Sequence, residues 1–165
     1  MLAEASVFIA IYVPALVANG SATLISRGHP IDMGLRLPDG RRVLGDGKTV
    51  EGFTLAMLYA TSIAFTFALL LNNPLIAYYG VIAGLGALIG DMVGSFTKRR
   101  LGLERGAHAP ILDQLDFIIG AYLLTIMAGY KPNLIMAIAF AVMVYMLHRI
   151  TNIVAYRLGI KSVPW

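Results

Sequence analysis

The sequence predicts an all-α, polytopic integral membrane protein with five transmembrane helices, and three observations carry that expectation. Hydrophobic residues make up 58% of the 165 residues and charged residues only 13%, about half the charge of an ordinary soluble domain. The apolar residues gather into runs long enough to cross a bilayer, for which about 20 residues are needed. Basic residues then fall almost wholly on one side of the resulting plan.

The first run, 5–25, has Glu4 at its start and no basic residue before it. A cleaved signal peptide begins with positive charge, so this run reads as a retained span. A polar loop of about 26–52 follows, then two spans, 53–72 and 75–95, joined by Asn72-Asn73-Pro74. A second polar loop, about 96–111, leads to spans 112–130 and 134–156, joined by Lys131-Pro132-Asn133. Asparagine and proline favour tight turns, which suits helical hairpins. The whole chain, 1–165, reads as one membrane-embedded catalytic domain, with no inverted repeat of the kind many transporters carry.

Orientation follows from Lys and Arg. Arg27, Arg36, Arg41, Arg42 and Lys48 lie in the first loop, and Lys98, Arg99, Arg100 and Arg105 in the second. Arg149 lies near the end of the fifth span, and Arg157 and Lys161 in the tail, which leaves Lys131 alone opposite. The amino terminus is therefore expected outside, with both long loops and the carboxyl terminus in the cytoplasm. Small residues such as Gly80, Gly84, Ala87 and Gly90 in the third span read as close helix packing. Cysteine is absent, which excludes disulfides and thiolate metal sites.

Ionisable groups inside spans are costly and mark functional sites. Asp91 falls near the cytoplasmic end of the third span, with Ser95 one turn later. Asp113 and Asp116 open the fourth span three residues apart, on one helix face, after Pro110, which suits a helix start. Capping explains an acid at a helix start, but not Asp91 toward a carboxyl end. Three carboxylates at one depth suit a hard divalent cation, which takes oxygen ligands. Lys98, Arg99, Arg100 and Arg105 lie between them. Basic residues there anchor headgroups in the plain reading, but beside carboxylates they supply what metal–phosphate chemistry needs.

The first loop carries Gly45-Asp46-Gly47-Lys48-Thr49-Val50-Glu51-Gly52. It is not a P-loop, because Arg42 stands where the first glycine is required and no strand precedes it. Its backbone N–H groups and Lys48 can still face phosphate. Asn19, Thr23 and Asn152, polar within spans, read as interhelical hydrogen-bonding groups.

Taken together, Gly90-Asp91, the run Ser95-Phe96-Thr97-Lys98-Arg99-Arg100 and the run from Pro110 to Phe117 resemble the CDP-archaeol synthase family. That family is related to the phosphatidate cytidylyltransferases, and the resemblance spans nearly the whole chain. It implies transfer of CMP from CTP to 2,3-bis-O-(geranylgeranyl)-sn-glycerol 1-phosphate, giving a CDP-activated lipid and pyrophosphate. It also implies Mg²⁺, with room for a second cation, held by Asp91, Asp113 and Asp116. The catalytic set would be Asp91, Lys98, Arg99, Asp113 and Asp116. Nucleotide would be bound by Gly45, Asp46, Gly47, Lys48, Thr49, Ser95, Lys98, Arg99 and Arg100. The Ser-x-x-Lys-Arg and Asp-x-x-Asp patterns of the bacterial branch match, but its Lys-Asp pair and His-Gly-Gly segment are missing, and His108 stands without those glycines.

Three rivals remain at this level. A cation transporter or channel would place acids near mid-membrane and along both halves of a path. A CDP-lipid-consuming transferase would carry a four-acid helix pattern that is absent. A scaffold would leave Asp91 unexplained. The expected partners are CTP, a lipid phosphate and membrane lipids, with no nucleic acid and a homo-oligomer left open.

Overall fold

Asn73 and Asn133 each end a short link by capping the helix that follows. Asn73, just ahead of Pro74, accepts from the Leu75 N–H, and Asn133 accepts from the N–H groups of Ile135 and Met136. Asparagine oxygens satisfy donors that a helix start leaves orphaned, so both links fold as the tight turns their residues predict. In a computed structural model that describes residues 2–25, 27–103, 109 and 112–159, the elements are α1 (Leu2–Ala22), a 3₁₀ turn (Thr23–Ile25), α2 (Val50–Leu70), α3 (Pro74–Arg100), α4 (Leu112–Met127) and α5 (Leu134–Arg157). Among the described residues there is no strand, only two isolated bridges in the first loop, Pro30 with Thr49 and Arg36 with Arg42.

Four stretches are long and apolar enough to cross a membrane: Leu2–Ile25, Val50–Leu70, Pro74–Arg100 and Leu134–Arg157. The expected fourth span is the exception. Its described helix, α4, has 16 residues, roughly 24 Å of rise against a hydrocarbon core of about 30 Å. A second difference is at α3, which was expected to stop at 95 and continues to Arg100. Lys98, Arg99 and Arg100 are therefore on the last turn of a helix, where positive charge complements the carboxyl-end dipole. Asp91 consequently sits within α3, not at its end.

α3 is the hub, packed along α1, α2 and α4, while α5 lies at the edge against α4. The reason is small side chains. Ala56, Ala60, Ala64 and Ala68 recur every four residues on the buried face of α2, and a Cβ added at Gly80 or Gly84 would lie 2.8 or 2.7 Å from Ala64 or Ala60. On the other side of α3, a Cβ at Gly86 would lie 2.6 Å from the Gly120 carbonyl. Without a hydrophobic driving force in lipid, such close backbone approach is what holds helices together. At the end of the bundle away from the long loops, Tyr12 is fully buried and shares a 2.7 Å hydrogen bond with Thr125. The Tyr122 hydroxyl donates to the Ala137 carbonyl and ties α4 to α5.

Candidate active site

The first loop is organised around one residue that the sequence reading did not single out. Asp32, whose side chain is 2% exposed, accepts from Arg42 through Nη2 at 2.6 Å and Nε at 3.2 Å. Its oxygens also accept from the N–H groups of Leu44, Gly45 and Gly34. Burial alone would raise its carboxyl pKa, but the Arg42 guanidinium and these three N–H groups hold it well below the usual carboxylate range. The sequence signal was there: an aspartate two residues before a glycine forms an Asx turn. Arg42 also bonds Asp46, so one arginine pins both sides of the loop.

That pinned loop covers the cytoplasm-predicted end of α3 and leaves a cavity of about 500 Å³. From the loop, Arg36, Arg41, Arg42, Gly45, Asp46, Gly47 and Lys48 line it, and from α3, Ser95, Lys98 and Arg99. Six cations face a single carboxylate. Gly45, Asp46, Gly47, Lys48, Ser95, Lys98 and Arg99 were expected at a nucleotide, and the structure brings them together. Arg36, Arg41 and Arg42 join them, although from sequence they read only as orienting charges; three arginines of one loop had no pattern to mark which would turn inward.

Thr49 and Arg100 do not line the cavity. Thr49 caps α2, accepting from Gly52 N–H while its hydroxyl donates to the Ile25 carbonyl. Arg100 turns back onto the first loop, bonding Asp39 and the Arg41 and Arg42 carbonyls. Arg105 and His108 lie outside the described residues.

The three aspartates are near one another but do not close around one point. Lys48 reaches from the loop to ion-pair with Asp91. Lys98 donates to Asp113 at 2.5 Å, and the other oxygen of Asp113 accepts from Ala109 N–H. Asp116 is set deeper, its Oδ1 accepting from Phe117 N–H, and it feels the negative charge of Asp91 and the positive charges of Lys98 and Lys48. Among the described residues no three His, Cys, Asp or Glu are arranged to hold a metal. Asp113 is here engaged by Lys98 and the Ala109 N–H.

A pair remains. Asp91 and Asp116 are oxygen donors close enough to repel each other, and Gly94 supplies the room: an added Cβ would collide with the Asp116 carboxylate. Mg²⁺ commonly takes one or two protein carboxylates and completes its shell with water and phosphate, so a two-carboxylate site beside a cationic cavity fits a divalent cation. Gln114, 3% exposed on the first turn of α4, has a carbonyl oxygen with no partner among the described residues.

Apolar helices carrying a six-cation cavity beside half-buried carboxylates define a multi-pass membrane enzyme that handles phosphates. A family model described as CarS-like, CDP-archaeol synthase, matches residues 3–165. A CDP-archaeol synthase of Sulfolobus acidocaldarius is 53% identical over 93% of this chain and 94% of its own length, and one of Hyperthermus butylicus is 52% identical over 93% and 92%. A solved structure presented as structural insight into an intramembrane enzyme for archaeal membrane lipids biosynthesis is 46% identical, covering 88% of this chain and 92% of that one, with a TM-score of 0.83. The chain belongs to the CDP-archaeol synthase family, and with it to the CTP-dependent cytidylyltransferases of archaeal lipid biosynthesis.

Proposed function

We propose that this chain transfers CMP from CTP to 2,3-bis-O-(geranylgeranyl)-sn-glycerol 1-phosphate at the cytoplasmic face of the cell membrane. The observation that carries the reading is the six-cation cavity opening beside the Asp91–Asp116 pair. A triphosphate carries about four negative charges, and Arg and Lys are the side chains that neutralise phosphate oxygens.

An oxygen of the lipid phosphate attacks the α-phosphorus of CTP in line. The bond from that phosphorus to the bridging oxygen breaks, and pyrophosphate leaves with the electron pair. Arg36, Arg41, Arg42 and Lys48 hold the β- and γ-phosphates, and Lys98 with Arg99 meets the lipid phosphate. Asp91 and Asp116 would hold Mg²⁺, whose charge, when bound, stabilises the negative charge developing on the phosphate oxygens. Asp113 keeps Lys98 aimed. No protein nucleophile is needed. A phosphate monoester is largely ionised at neutral pH, so no strong base is needed either.

The same reading has α4 as a fifth span, the amino terminus outside and the chain as one domain. Tags after Gly40 and at Asn73 test the orientation: the first should be reached only from the cytoplasm, the second only from outside. The ion-path rival gains nothing from the geometry, since two of the three acids are engaged by lysines.

The decisive experiment is purified protein with labelled CTP, Mg²⁺ and the unsaturated ether-lipid phosphate, read for CDP-lipid and pyrophosphate. ATP, GTP and UTP should compete poorly with CTP. No CDP-lipid, or equal competition by all four nucleotides, sinks the reading.

A further inference from the structure

We infer that Arg100 is a positioning residue, one half of a reciprocal arginine clasp that sets the nucleotide cavity, and not a phosphate ligand. The inference rests on the nucleotide reading of that cavity.

The clasp joins the first loop to the end of α3 in both directions. Arg100 sends Nη1 to Asp39 Oδ2 at 2.6 Å and Nη2 to the carbonyls of Arg42 at 2.5 Å and Arg41 at 3.3 Å. Arg41 answers with Nη1 to the carbonyls of Arg100 at 2.6 Å and Arg99 at 3.5 Å. The last carbonyls of a helix have no partners within it, so Arg41 serves as the cap of α3 from another segment of chain. Gly102 follows with φ +77°, and a Cβ there would lie 2.9 Å from Arg41 Nη2. The guanidinium of Arg100 is further held over the Phe96 ring, 5.3 Å from its centroid.

This arrangement leaves Arg100 with two of its three guanidinium nitrogens committed to the loop and the third, Nε, buried without a partner among the described residues. A guanidinium so engaged cannot grip a phosphate without abandoning the loop. What it holds matters: the two carbonyls belong to Arg41 and Arg42, both of which line the cavity. Arg100 thus fixes the backbone from which two nucleotide-facing arginines project. Asp39 completes the fork from outside the cavity, and a backbone N–H bond from Arg41 to Asp39 Oδ1 holds that carboxylate in its own turn.

The test uses two residues that do not line the cavity. Asp39→Asn keeps an oxygen for the Arg41 N–H but removes the charge facing Arg100. Arg100→Gln removes the fork, and Arg100→Lys restores charge without planar geometry. Equilibrium CTP binding is measured apart from turnover, with the KM of each substrate alongside. The CTP dissociation constant should rise about threefold in Asp39→Asn and about tenfold in Arg100→Gln, and the double variant should match Arg100→Gln, since both act through one contact. Arg100→Lys should not rescue, the KM for lipid phosphate should stay put, and kcat at saturating CTP should change far less than KM. A loss in Arg100→Gln with Asp39→Asn silent, costs that simply multiply, or rescue by lysine would make Arg100 a direct ligand and overturn the clasp. An equal rise in both substrates' KM would show a general folding defect and overturn it too. If wild-type protein binds CTP but makes no CDP-lipid, the cytidylyltransferase reading falls while the clasp is still judged by binding.

Discussion

Lys48, from the first polar loop, forms an ion pair with Asp91, in the interior of α3. The two side chains are 26% and 19% exposed, so the pair is shielded enough to matter and open enough to exchange. It explains how an aspartate can sit within an apolar helix: a lysine from a separate segment neutralises it. The same lysine lines the nucleotide cavity, so one cation lies between the proposed phosphate and metal sites. Lys48→Met should raise the KM for CTP by about tenfold or more, the scale of one charge-assisted contact. It should also lower the Mg²⁺ concentration for half-maximal activity, because Asp91 loses its competing cation. Unchanged CTP dependence in a steady-state assay would rule out the phosphate role.

Asp32 gives a prediction about loop order and acid. Its folded pKa is depressed by Arg42 and three N–H groups, so its contribution is fully present above the unfolded value near 3.8 and disappears as pH falls through the lower folded value. Between pH 5 and 8 this group should confer no pH dependence. Asp32→Ala removes a carboxylate only 2% exposed, leaving Arg42 with Asp46 alone and three N–H donors without their acceptor, which should cost the loop about 3 kcal/mol. Hydrogen exchange should show residues 32–46 losing protection while α2 and α3 keep theirs. Wild-type protection in this variant would mean the loop is held by something else.

Two glycines on one face of α3 should separate packing from chemistry. A Cβ at Gly90 would strike the Asp116 carbonyl, a backbone atom that can move only with α4. A Cβ at Gly94 would strike the Asp116 carboxylate, a side chain that can swing away. Gly90→Ala is expected to lower thermal stability, by about 2 kcal/mol for an overpacked contact. Gly94→Ala should leave stability nearly intact and reduce kcat about a hundredfold by displacing the carboxylate. A pair of melting curves with initial rates decides it, and equal behaviour in the two variants would remove Asp116 from the site.

Much of this architecture was legible because lipid imposes simple rules. Five apolar runs, two Asn-Pro links and small residues on α3 gave the helices, their turns and their close faces, since each depends on local composition. The acids and bases of α3 and α4 were legible as a set for the same reason: charge inside a span needs a function. What stayed hidden was pairing at a distance. That Lys98 would take Asp113, that Arg100 would turn to Asp39, and that Asp32 would organise the loop depend on contacts 15, 61 and 10 residues apart. The end of α3 was misjudged because three basic residues look like a loop but suit the last turn of a helix.

The aspartates carry the sharpest prediction. Asp91 and Asp116 are near enough for their charges to interact, while Asp113 is bonded to Lys98 and Ala109. If the first two hold one cation together, their losses cannot be independent. Asp91→Asn and Asp116→Asn should each lower kcat about a hundredfold or more, and the double variant should be little worse than the more damaging single one, as for residues that act as a unit. Raising Mg²⁺ should partly restore either single variant. Asp113→Asn should act differently: with Lys98 released, substrate KM values should rise, Mg²⁺ should not rescue, and the cost should add to that of Asp116→Asn. Shape is preserved in all three substitutions, so circular dichroism and melting should match wild type. Costs that add between Asp91 and Asp116, or near-normal rates at limiting Mg²⁺, would end the shared-cation assignment. Non-additivity of Asp113 with both would instead make it a third ligand, with Lys98 yielding when the cation binds.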